Sequence, residues 1–495
     1  MKQVTAGKKK SKAPNNPWST PAMQQYRTMK EAHPECVLFF RMGDFYEMFD
    51  EDARVVSKTI GLTLTKRGNG LDMAGVPHHA AEGYLRRMVE QGFRVAVCEQ
   101  LENPAEAKGV VKRGVTRVVT PGTLVDEFLL DETKSNLLGA MESDGTTVSI
   151  AVTELSTGTF ELHQCPMNRI GDTLERLGLS EVVISEGDNE LATIATRFGV
   201  ALTPRPTWMF HLDEGKALLE KQYGVTTVEG FGLAIEDPRI GPTGALLAYL
   251  KQTQAGETGL PHLRPPSIVN DDTFVALDAT TIRSLEIEQT MKSNATEGSL
   301  LWVMQRCNTA MGKRLLRQWL CEPLADKLEI EQRQDVVSHF IHDDELLRKT
   351  KTMLDNVQDV ARIAGRVSMG RVSPRDIVAL GASTVVCDAL AALLDHPATH
   401  RVHTELQALS NTLVPLAQTI QTQCIDAPPA HMREGGLFRD GFDTQLDEVR
   451  LLQRDAGVWL AKYQAELTEA TGITTLKVGF NKVFGYYIEV THAQT

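Results

Sequence analysis

The segment over residues 41–49, RMGDFYEMF, places an aromatic residue and a carboxylate two positions apart. Phe45 directly follows a predicted strand, where the apolar face of a following helix would cover its ring poorly. Such a ring can be inserted between base steps as a wedge, and the Glu47 carboxylate could accept a hydrogen bond from an exposed base edge. Because unstacking costs a few kcal/mol, and least at a mispaired base, this pair could sense locally deformable DNA.

The same segment also has a purely structural interpretation. Asp44 and Glu47 have the spacing of a capping box, in which each side chain accepts from a free amide of the first helical turn. Helix starts are common, so residue types alone favour this interpretation. The predicted helix begins at Asp44, and its apolar face comprises Phe45, Phe49, Ala53, Val56 and Ile60.

Two other segments carry basic residues beside turns. Lys66 and Arg67 precede a glycine-rich loop, and bare amides with basic side chains suit phosphate contact without base recognition. A second basic cluster comprises Lys112, Arg113 and Arg117. For each segment taken alone, a solvated loop is the alternative.

Other kinds of chemistry find less support. A nucleotide-binding loop needs Gly-Lys followed by Ser or Thr, and the Gly-Lys pairs at Gly7, Gly215 and Gly312 are followed by Lys, Ala and Arg. We therefore expect no ATPase activity from this chain. The seven cysteines lack zinc-type spacing, which predicts reduced, mostly buried thiols. A metal-dependent nuclease is an alternative, for which the nearest carboxylates are Glu142, Asp144 and Glu154.

The elements that would position these residues suggest several domains. The lysines within residues 1–19 are not followed by the apolar segment of a secretory signal. We therefore expect these residues to form a flexible basic tail. Residues 20–133 predict a small mixed α/β domain, with a buried strand over 36–42, a helix over 81–91 and a strand over 93–98. Residues 134–262 predict a β-meander followed by alternating helices and strands, with a Gly- and Pro-rich linker over 256–266.

The C-terminal half has a different pattern. Residues 274–471 show helical periodicity, ending in a long helix over 443–470, about 40 Å in length at 1.5 Å per residue. Residues 472–495 alternate like two strands joined at 481–485. Strand edges would remain unpaired in such a hairpin, which predicts that the chain is truncated.

Composition sets the broad class. The chain has 495 residues, of which 42% are hydrophobic and 23% charged, as in multidomain globular proteins. No apolar run approaches about 20 residues, so no membrane role is expected. The net charge of -12 argues against coating of nucleic acid, but residues 1–130 hold 19 Lys and Arg against 15 Asp and Glu. DNA contact should therefore concentrate near the N-terminus.

Linked motifs from Thr20 onward resemble those of the MutS family of DNA mismatch repair proteins in order and spacing. They include FFRMGDFYEMF, LTKRG, MAGVPHHA, VAVCEQ, RVVTPGT, GSLLWVMQRCNTAMGKRLLRQWLCEPL and LKVGFNKVFGYYIEV. This resemblance reverses the preference for a simple capping box. It implies that Phe45 stacks on the mispaired base and that Glu47 hydrogen-bonds it. Contacts with the DNA backbone are implied for Met42, Lys66, Arg67, Lys477 and Lys482.

The resemblance also implies an architecture of multidomain α/β plus all-α type. Its parts are a mismatch-recognition domain (20–133), an RNase H-like connector without nuclease activity (134–262), a helical core with long lever helices (274–471) and the beginning of a β clamp (472–495). The ATPase domain is absent, so ATP and Mg²⁺, cofactors of the full-length family, are not expected to bind here.

The implied partners are mismatched double-stranded DNA and a MutL-type repair protein, in the cytoplasm with the nucleoid. The family forms homodimers, but we expect poor dimerisation of this chain. The alternative is a MutS-like clamp that binds branched DNA without sensing mismatches. The Phe45-x-Glu47 pair argues against it, because such relatives lack that pair.

Overall fold

The computed structural model describes residues 18–67, 70–102, 109–254, 260–270, 273–454, 456–481 and 485–490. The predicted basic tail lies outside them, except for Trp18 and Ser19. The chain divides into two compact units. Unit 1 consists of Met1–Val372 and Val386–Gln407, and unit 2 consists of Ser373–Val385 and Ala408–Thr495. Both predicted α/β domains belong to unit 1, and the predicted C-terminal hairpin belongs to unit 2.

Unit 1 begins with a six-stranded mixed sheet. Its elements are α1 (Pro21–Ala32), β1 (Val37–Met42), β2 (Phe45–Phe49), α2 (Glu51–Ile60), β3 (Thr65–Lys66), β4 (Asp72–Pro77), α3 (Ala81–Glu90), β5 (Val95–Gln100) and β6 (Arg113–Val119). The strand order is β3-β4-β2-β1-β5-β6, with β1 parallel to β5 and the other neighbours antiparallel. Because side chains alternate along strands, one face packs on α2 and α3 and the other on α1.

The segment after Gly43 is a strand, so the predicted helix beginning at Asp44 is wrong. Gly43 has a φ of +60° at the first central position of a two-residue turn, where glycine is favoured because it adopts this conformation without strain. Strand β2 then pairs with β1 and with β4. This pairing gives hydrogen-bond partners to backbone groups that a capping box would otherwise have had to satisfy. Helix α2 begins only at Glu51.

A second six-stranded sheet follows in unit 1. Its elements are β7 (Leu138–Ser143), β8 (Thr147–Glu154), β9 (Thr159–Pro166), α4 (Ile170–Leu177), β10 (Glu181–Ser185), α5 (Asn189–Arg197), β11 (Ala201–Arg205), α6 (Leu212–Tyr223), α7 (Ile240–Thr253) and β12 (Ser267–Ile268). The order is β11-β10-β7-β8-β9-β12. The antiparallel β7-β8-β9 run confirms the predicted meander, and β10, β11 and β12 join in parallel. Helices α4 and α5 cover one face, and α6 and α7 the other.

A helical region follows, as the periodicity predicted. It comprises α8 (Ala279–Ser284), α9 (Leu300–Met304), α10 (Ala310–Cys321), α11 (Lys327–His342), α12 (Asp344–Leu354), α13 (Val360–Ser368), α14 (Pro374–Leu393) and α15 (His400–Gln423). Side chains of Asp326, Asp343 and Asp359 accept from backbone amides at the starts of α11, α12 and α13. Such N-caps satisfy amides that have no partner within the helix.

Unit 2 ends in helices and a hairpin. The single helix predicted over 443–470 corresponds to α16 (Thr444–Arg454) and α17 (Ala456–Thr471), and residue 455 lies outside the described residues. Strands β13 (Lys477–Asn481) and β14 (Gly485–Glu489) pair antiparallel, as predicted, with Asn481 opposite Gly485. Residues 482–484 of the predicted turn fall outside the described part.

Two expectations from composition have different outcomes. The seven cysteines form no disulfide, and five are buried, as predicted. Helix α14, by contrast, is long and apolar enough to cross a bilayer by length and composition alone. The statement that no apolar run approaches this length is therefore wrong, because only Arg375, Asp376 and Asp388 interrupt this run with charge. Core helices of globular proteins pass the same test, so one such helix is weak support for a membrane role.

Candidate nucleic-acid interface

The β1–β2 hairpin presents Phe45 and Glu47 on one face. Alternation along β2 turns Tyr46 and Met48 into the core, whereas Phe45 is 46% exposed and Glu47 is half-buried. Phe45 lies opposite Met42 on β1, directly beside the two-residue turn. Met42 packs partly against the apolar cluster beneath α1. The hairpin therefore carries an exposed aromatic ring at its tip, with a carboxylate one step behind it.

A glycine keeps the surface beside these two residues open. Gly75 on β4 lies directly opposite Glu47, on the side away from β1. A β-carbon at Gly75 would lie 3.9 Å from both the Phe45 ring and Cγ of Glu47. A longer side chain there would occupy the space between them. Gly75 thus leaves a flat backbone floor where a planar group could approach, which is a usual reason for glycine within a strand.

The Glu47 carboxylate lies in a desolvated and positively charged setting. Burial raises the pKa of Glu47, and the nearby guanidinium groups of Arg67 and Arg113 oppose this effect. Oε2 of Glu47 lies 3.7 Å from Nη1 of Arg67. A carboxylate in this setting can accept a hydrogen bond when ionised and donate one when protonated. It could therefore meet either kind of polar edge on a base.

Arg67 and Lys66 differ in how available they are. Arg67 is held in place, because its guanidinium lies 5.3 Å from the centre of the Phe49 ring and 3.3 Å from the Met23 sulfur. Lys66 is exposed on the short strand β3. Residues 68 and 69 of the glycine-rich loop lie outside the described residues. Lys66 thus presents a charge on the surface, whereas Arg67 is partly buried beside Glu47.

The second basic cluster divides into three different environments. Lys112 is exposed. Arg113 lies beneath the hairpin, with its guanidinium 5.2 Å from the Phe40 ring and its Nε donating to the Arg41 carbonyl at 2.6 Å. Arg117 is largely buried and paired with Asp126 and Glu82. The phosphate contact considered for this cluster therefore finds least support at Arg117, because the partly exposed carboxylates of Asp126 and Glu82 already offset its charge.

Sequence reasoning missed Gly75 and the placement of Arg113. A glycine inside the alternating run of MAGVP is a signal of close backbone approach, and it could have marked Gly75. No local signal could have placed Arg113 beneath the hairpin, because that contact joins β6 to β1 across residues far apart in sequence. Among the predicted site residues, Met42 lies opposite Phe45, and Arg67 lies beside Glu47.

The other predicted residues fall elsewhere. Lys477 is exposed at the start of β13 in unit 2, and Lys482 lies outside the described residues. Of the nuclease candidates, Glu154 is buried and ion-paired with Arg362 at 3.2 Å, and Asp144 accepts turn amides of Thr146 and Thr147. Within the described ranges, no group of three or more His, Cys, Asp or Glu residues could hold a metal ion. The nuclease alternative gains no support there.

Family models match most of the chain. A model of MutS domain I matches residues 20–128, a model of MutS domain II matches 136–264, and a model of MutS domain III matches 280–483. The first covers the β1–β2 hairpin and its basic surroundings, the second the sheet that begins with β7, and the third the helical region with β13.

Curated relatives carry the same family name. The DNA mismatch repair protein MutS of Symbiobacterium thermophilum is 38% identical over 485 residues, which are 96% of this chain and 55% of the relative. That of Rhodopirellula baltica is 39% identical over 502 residues, 96% of this chain and 56% of the relative. That of Methanococcoides burtonii is 36% identical over 487 residues. The chain thus spans about half the length of these relatives, and it belongs to the MutS family, whose domains I, II and III it carries.

Proposed function

We propose that this chain takes part in DNA mismatch repair by recognising mispaired or unpaired bases in duplex DNA. The observation that carries this proposal is the exposed Phe45 ring at the tip of the β1–β2 hairpin, beside Glu47 and above the bare backbone of Gly75. The ring enters the minor groove as a wedge and stacks on a displaced base. Glu47 then forms a hydrogen bond with the edge of that base.

The physical basis of discrimination is the cost of deforming the duplex. Opening a base step costs a few kcal/mol, and a mispaired or unpaired base has already lost part of its pairing and stacking energy. The same wedge therefore enters a mismatch more readily than a matched step. Met42 and Arg67 lie beside the groove, and Lys66 and Lys477 contact phosphates. Lys482 belongs to this set by the resemblance alone.

We also propose the finer architecture that the resemblance implies. The strand order β11-β10-β7-β8-β9, a meander extended by parallel strands, supports an RNase H-like connector over 134–262. The long helices α14 and α15 support levers within 274–471, and the β13–β14 pair supports a clamp that begins within 472–495. The recognition domain spans 20–133, after the basic tail.

Partners and cofactors follow from the family. The 495 residues contain no Gly-x-x-x-x-Gly-Lys-Ser/Thr loop. An ATP and Mg²⁺ site of the full-length family would therefore lie outside this sequence. A MutL-type protein is the proposed repair partner, self-association of this chain is proposed to be weak, and the proposed location is the cytoplasm with the nucleoid.

A competition experiment tests mismatch sensing. The 495-residue chain is given a labelled duplex with a G·T pair or one unpaired base, against unlabelled matched duplex at fixed salt. We expect the wild-type chain and Phe128→Ala to prefer the mismatched duplex, because Phe128 is an exposed phenylalanine of the same domain away from the hairpin. We expect Phe45→Ala to lose the preference. A preference retained by Phe45→Ala, or a stronger preference of the wild type for a four-way junction, contradicts the proposal.

A further inference from the structure

The face of the hairpin opposite to Phe45 and Glu47 contains a polar contact that the proposed wedge mechanism does not use. Tyr46 stands between the two recognition residues, and its side chain points to the other side of the sheet, where it is 5% exposed. Its hydroxyl donates a hydrogen bond to Oε1 of Glu99 on β5. Because β1 lies between β2 and β5, this bond passes over β1 and joins two strands that are not neighbours.

Neighbouring contacts fix the ring of Tyr46 and the turn beside it. The His78 ring stacks on the Tyr46 ring at a centroid distance of 5.6 Å, and the Arg41 guanidinium lies 5.5 Å from the centre of the same ring. Both carbonyls of the two-residue turn are also held, since Nε of Arg41 donates to Gly43 and the backbone amide of His78 donates to Asp44 at 2.8 Å.

The hydroxyl remains a donor at all ordinary pH values. Burial and the nearby Glu99 carboxylate both raise the pKa of Tyr46, so the phenol stays protonated. A hydrogen bond to a charged acceptor is about twice as strong as a neutral one. The contact thus joins β2 to β5.

We infer that Tyr46 and Glu99 are a positioning pair, which holds β2 from its reverse face and so fixes the height and angle at which Phe45 and Glu47 meet a base. The inference rests on the proposed mismatch-sensing function. A wedge discriminates only if it is rigid, because a mobile ring would adapt to matched and mismatched steps alike. Tyr46 lies between Phe45 and Glu47 in the sequence. A contact that fixes the backbone at Tyr46 therefore also fixes the backbone of its two neighbours.

The test uses the 495-residue chain and measures three quantities: affinity for a matched duplex, the ratio of mismatched to matched affinity, and hydrogen exchange of the peptide that contains β2. We expect Tyr46→Phe and Glu99→Leu each to lower the ratio by about 3- to 10-fold, the effect of one hydrogen bond, with matched affinity unchanged. Exchange in β2 should become faster. Glu99→Gln should keep the ratio within about twofold, because its amide oxygen still accepts from Tyr46.

Two controls separate positioning from a general structural role. The double variant Tyr46→Phe/Glu99→Leu should lower the ratio no further than either single change, because both remove the same bond. Tyr84→Phe removes a hydroxyl from α3 of the same domain and should change none of the three quantities. If a Tyr46 variant fails to fold, the Glu99→Leu and Glu99→Gln pair gives the answer alone.

The outcomes are distinguishable from a failure of the proposed function. A wild-type ratio in Tyr46→Phe and Glu99→Leu, or an equal loss of matched and mismatched affinity, overturns the positioning role. If the wild-type chain has no mismatch preference, the proposed function fails. Hydrogen exchange still tests the inference in that case, because unchanged exchange in β2 of Tyr46→Phe would reject a positioning role for Tyr46 and Glu99.

Discussion

Phe45 is 46% exposed, although Tyr46 beside it is almost fully buried. Fully burying a phenylalanine ring contributes about 1.5–3 kcal/mol, and the half-exposed Phe45 forgoes part of this, so its position at the tip of a paired hairpin calls for a functional explanation. Gly75 adds a second residue-scale feature, because it removes the side chain that would otherwise cover the ring. The two residues together form an uncovered aromatic edge over bare backbone.

The open floor at Gly75 can be tested by filling it. Gly75→Leu should reduce the preference for a mismatched duplex roughly tenfold, since its side chain would occupy the space between Phe45 and Glu47. Gly75 has no positive φ, so the change should not strain the backbone. The control is Gly83→Leu, in an exposed helical position with open space. Equal preferences in the two variants, measured by competition, would show that the floor is irrelevant.

Lys66 is the residue of the interface that should bind without regard to sequence or pairing. Lys66→Ala should weaken binding of matched and mismatched duplexes equally, and should lower the slope of log affinity against log salt by about one. Titrations at three or more salt concentrations measure both. Lys58→Ala, an exposed lysine on α2, is the matched control and should leave the slope unchanged. A selective loss of mismatch binding in Lys66→Ala would place Lys66 at the base instead.

At the scale of elements, a buried carboxylate joins helices α1 and α2 to strand β1 near the base of the hairpin. Asp52, on α2, is 3% exposed. It accepts from the Tyr26 hydroxyl of α1 at 2.7 Å, from Lys30 at 2.8 Å and from the backbone amide of Leu38 on β1 at 3.1 Å. The hydroxyl of Tyr26 also meets the backbone of Phe49 at the far end of β2. The network thus anchors the base of the strand whose tip carries Phe45.

Removing this carboxylate should destabilise the domain strongly. Asp52→Ala removes the carboxylate that three donors share and leaves the charge of Lys30 without its ion-pair partner, so we expect the free energy of unfolding to fall by about 2–4 kcal/mol. Urea unfolding followed by tryptophan fluorescence or circular dichroism measures this change. Glu51→Ala, an adjacent exposed acid, should change stability by no more than about 0.5 kcal/mol. The network would lose its assigned importance if the two variants were equally stable.

Helices and strands were predicted correctly where the hydrophobic pattern of a segment fits only one periodicity. The strand β1, the helix α3, the β7–β8–β9 meander and the helical region agree with their patterns. The prediction failed for the segment after Gly43, because its apolar spacing fits both the helical and the strand periodicity. Phe45 and Phe49 are four residues apart, as in a helix, but alternation in Phe45-Tyr46-Glu47-Met48 also fits a strand. Pairing with β1 on one side and β4 on the other decided the outcome, and such pairing is not encoded locally.

The site was predictable in part for a related reason. Residue types and the family resemblance pointed to Phe45 and Glu47 as candidates, whereas the arginines that oppose the effect of burial on the pKa of Glu47 come from distant elements. Arg113 and Arg117 are four residues apart and chemically alike, yet one lies under the hairpin and the other is neutralised by Asp126. Only the tertiary arrangement distinguishes an arginine near the site from an arginine inside the fold.

At the scale of the whole molecule, charge and length set the context of the site. The chain carries a net charge of -12, but residues 1–130 carry +4, so the remainder carries -16. Under the proposed function, this distribution favours the approach of duplex DNA to the N-terminal 130 residues over the rest of the chain. The chain spans about 55% of the MutS relatives it matches. The recognition role proposed above therefore concerns only the part of the family's length that these 495 residues span.

Stability of the molecule should depend on pH through Glu142. Burial on β7 raises the pKa of this carboxyl to about 7, above its unfolded value. Its contribution to the free energy of unfolding is therefore fully present below about pH 4.5 and is lost as the pH rises through 7. Between pH 5 and 8 the wild-type chain should lose ~2 kcal/mol relative to Glu142→Gln, after allowance for partial exposure.

Urea midpoints at the two pH values measure this difference, because other titrating groups are common to both proteins. Glu190→Gln, an exposed glutamate on α5, is the control and should follow the wild type. A parallel pH dependence of the wild type and Glu142→Gln would mean that Glu142 titrates normally.

The contact between Phe45 and a mispaired base can be measured directly by photocrosslinking. A duplex with 5-iodouracil as the thymine of a G·T pair is bound to the 495-residue chain and irradiated, and the crosslinked peptide is identified by mass spectrometry. We predict a crosslink to Phe45, and a much weaker one when the same label stands in a matched A·T pair. A crosslink to other residues with none at Phe45, or equal yields from both duplexes, would contradict the assignment of Phe45 as the mismatch wedge.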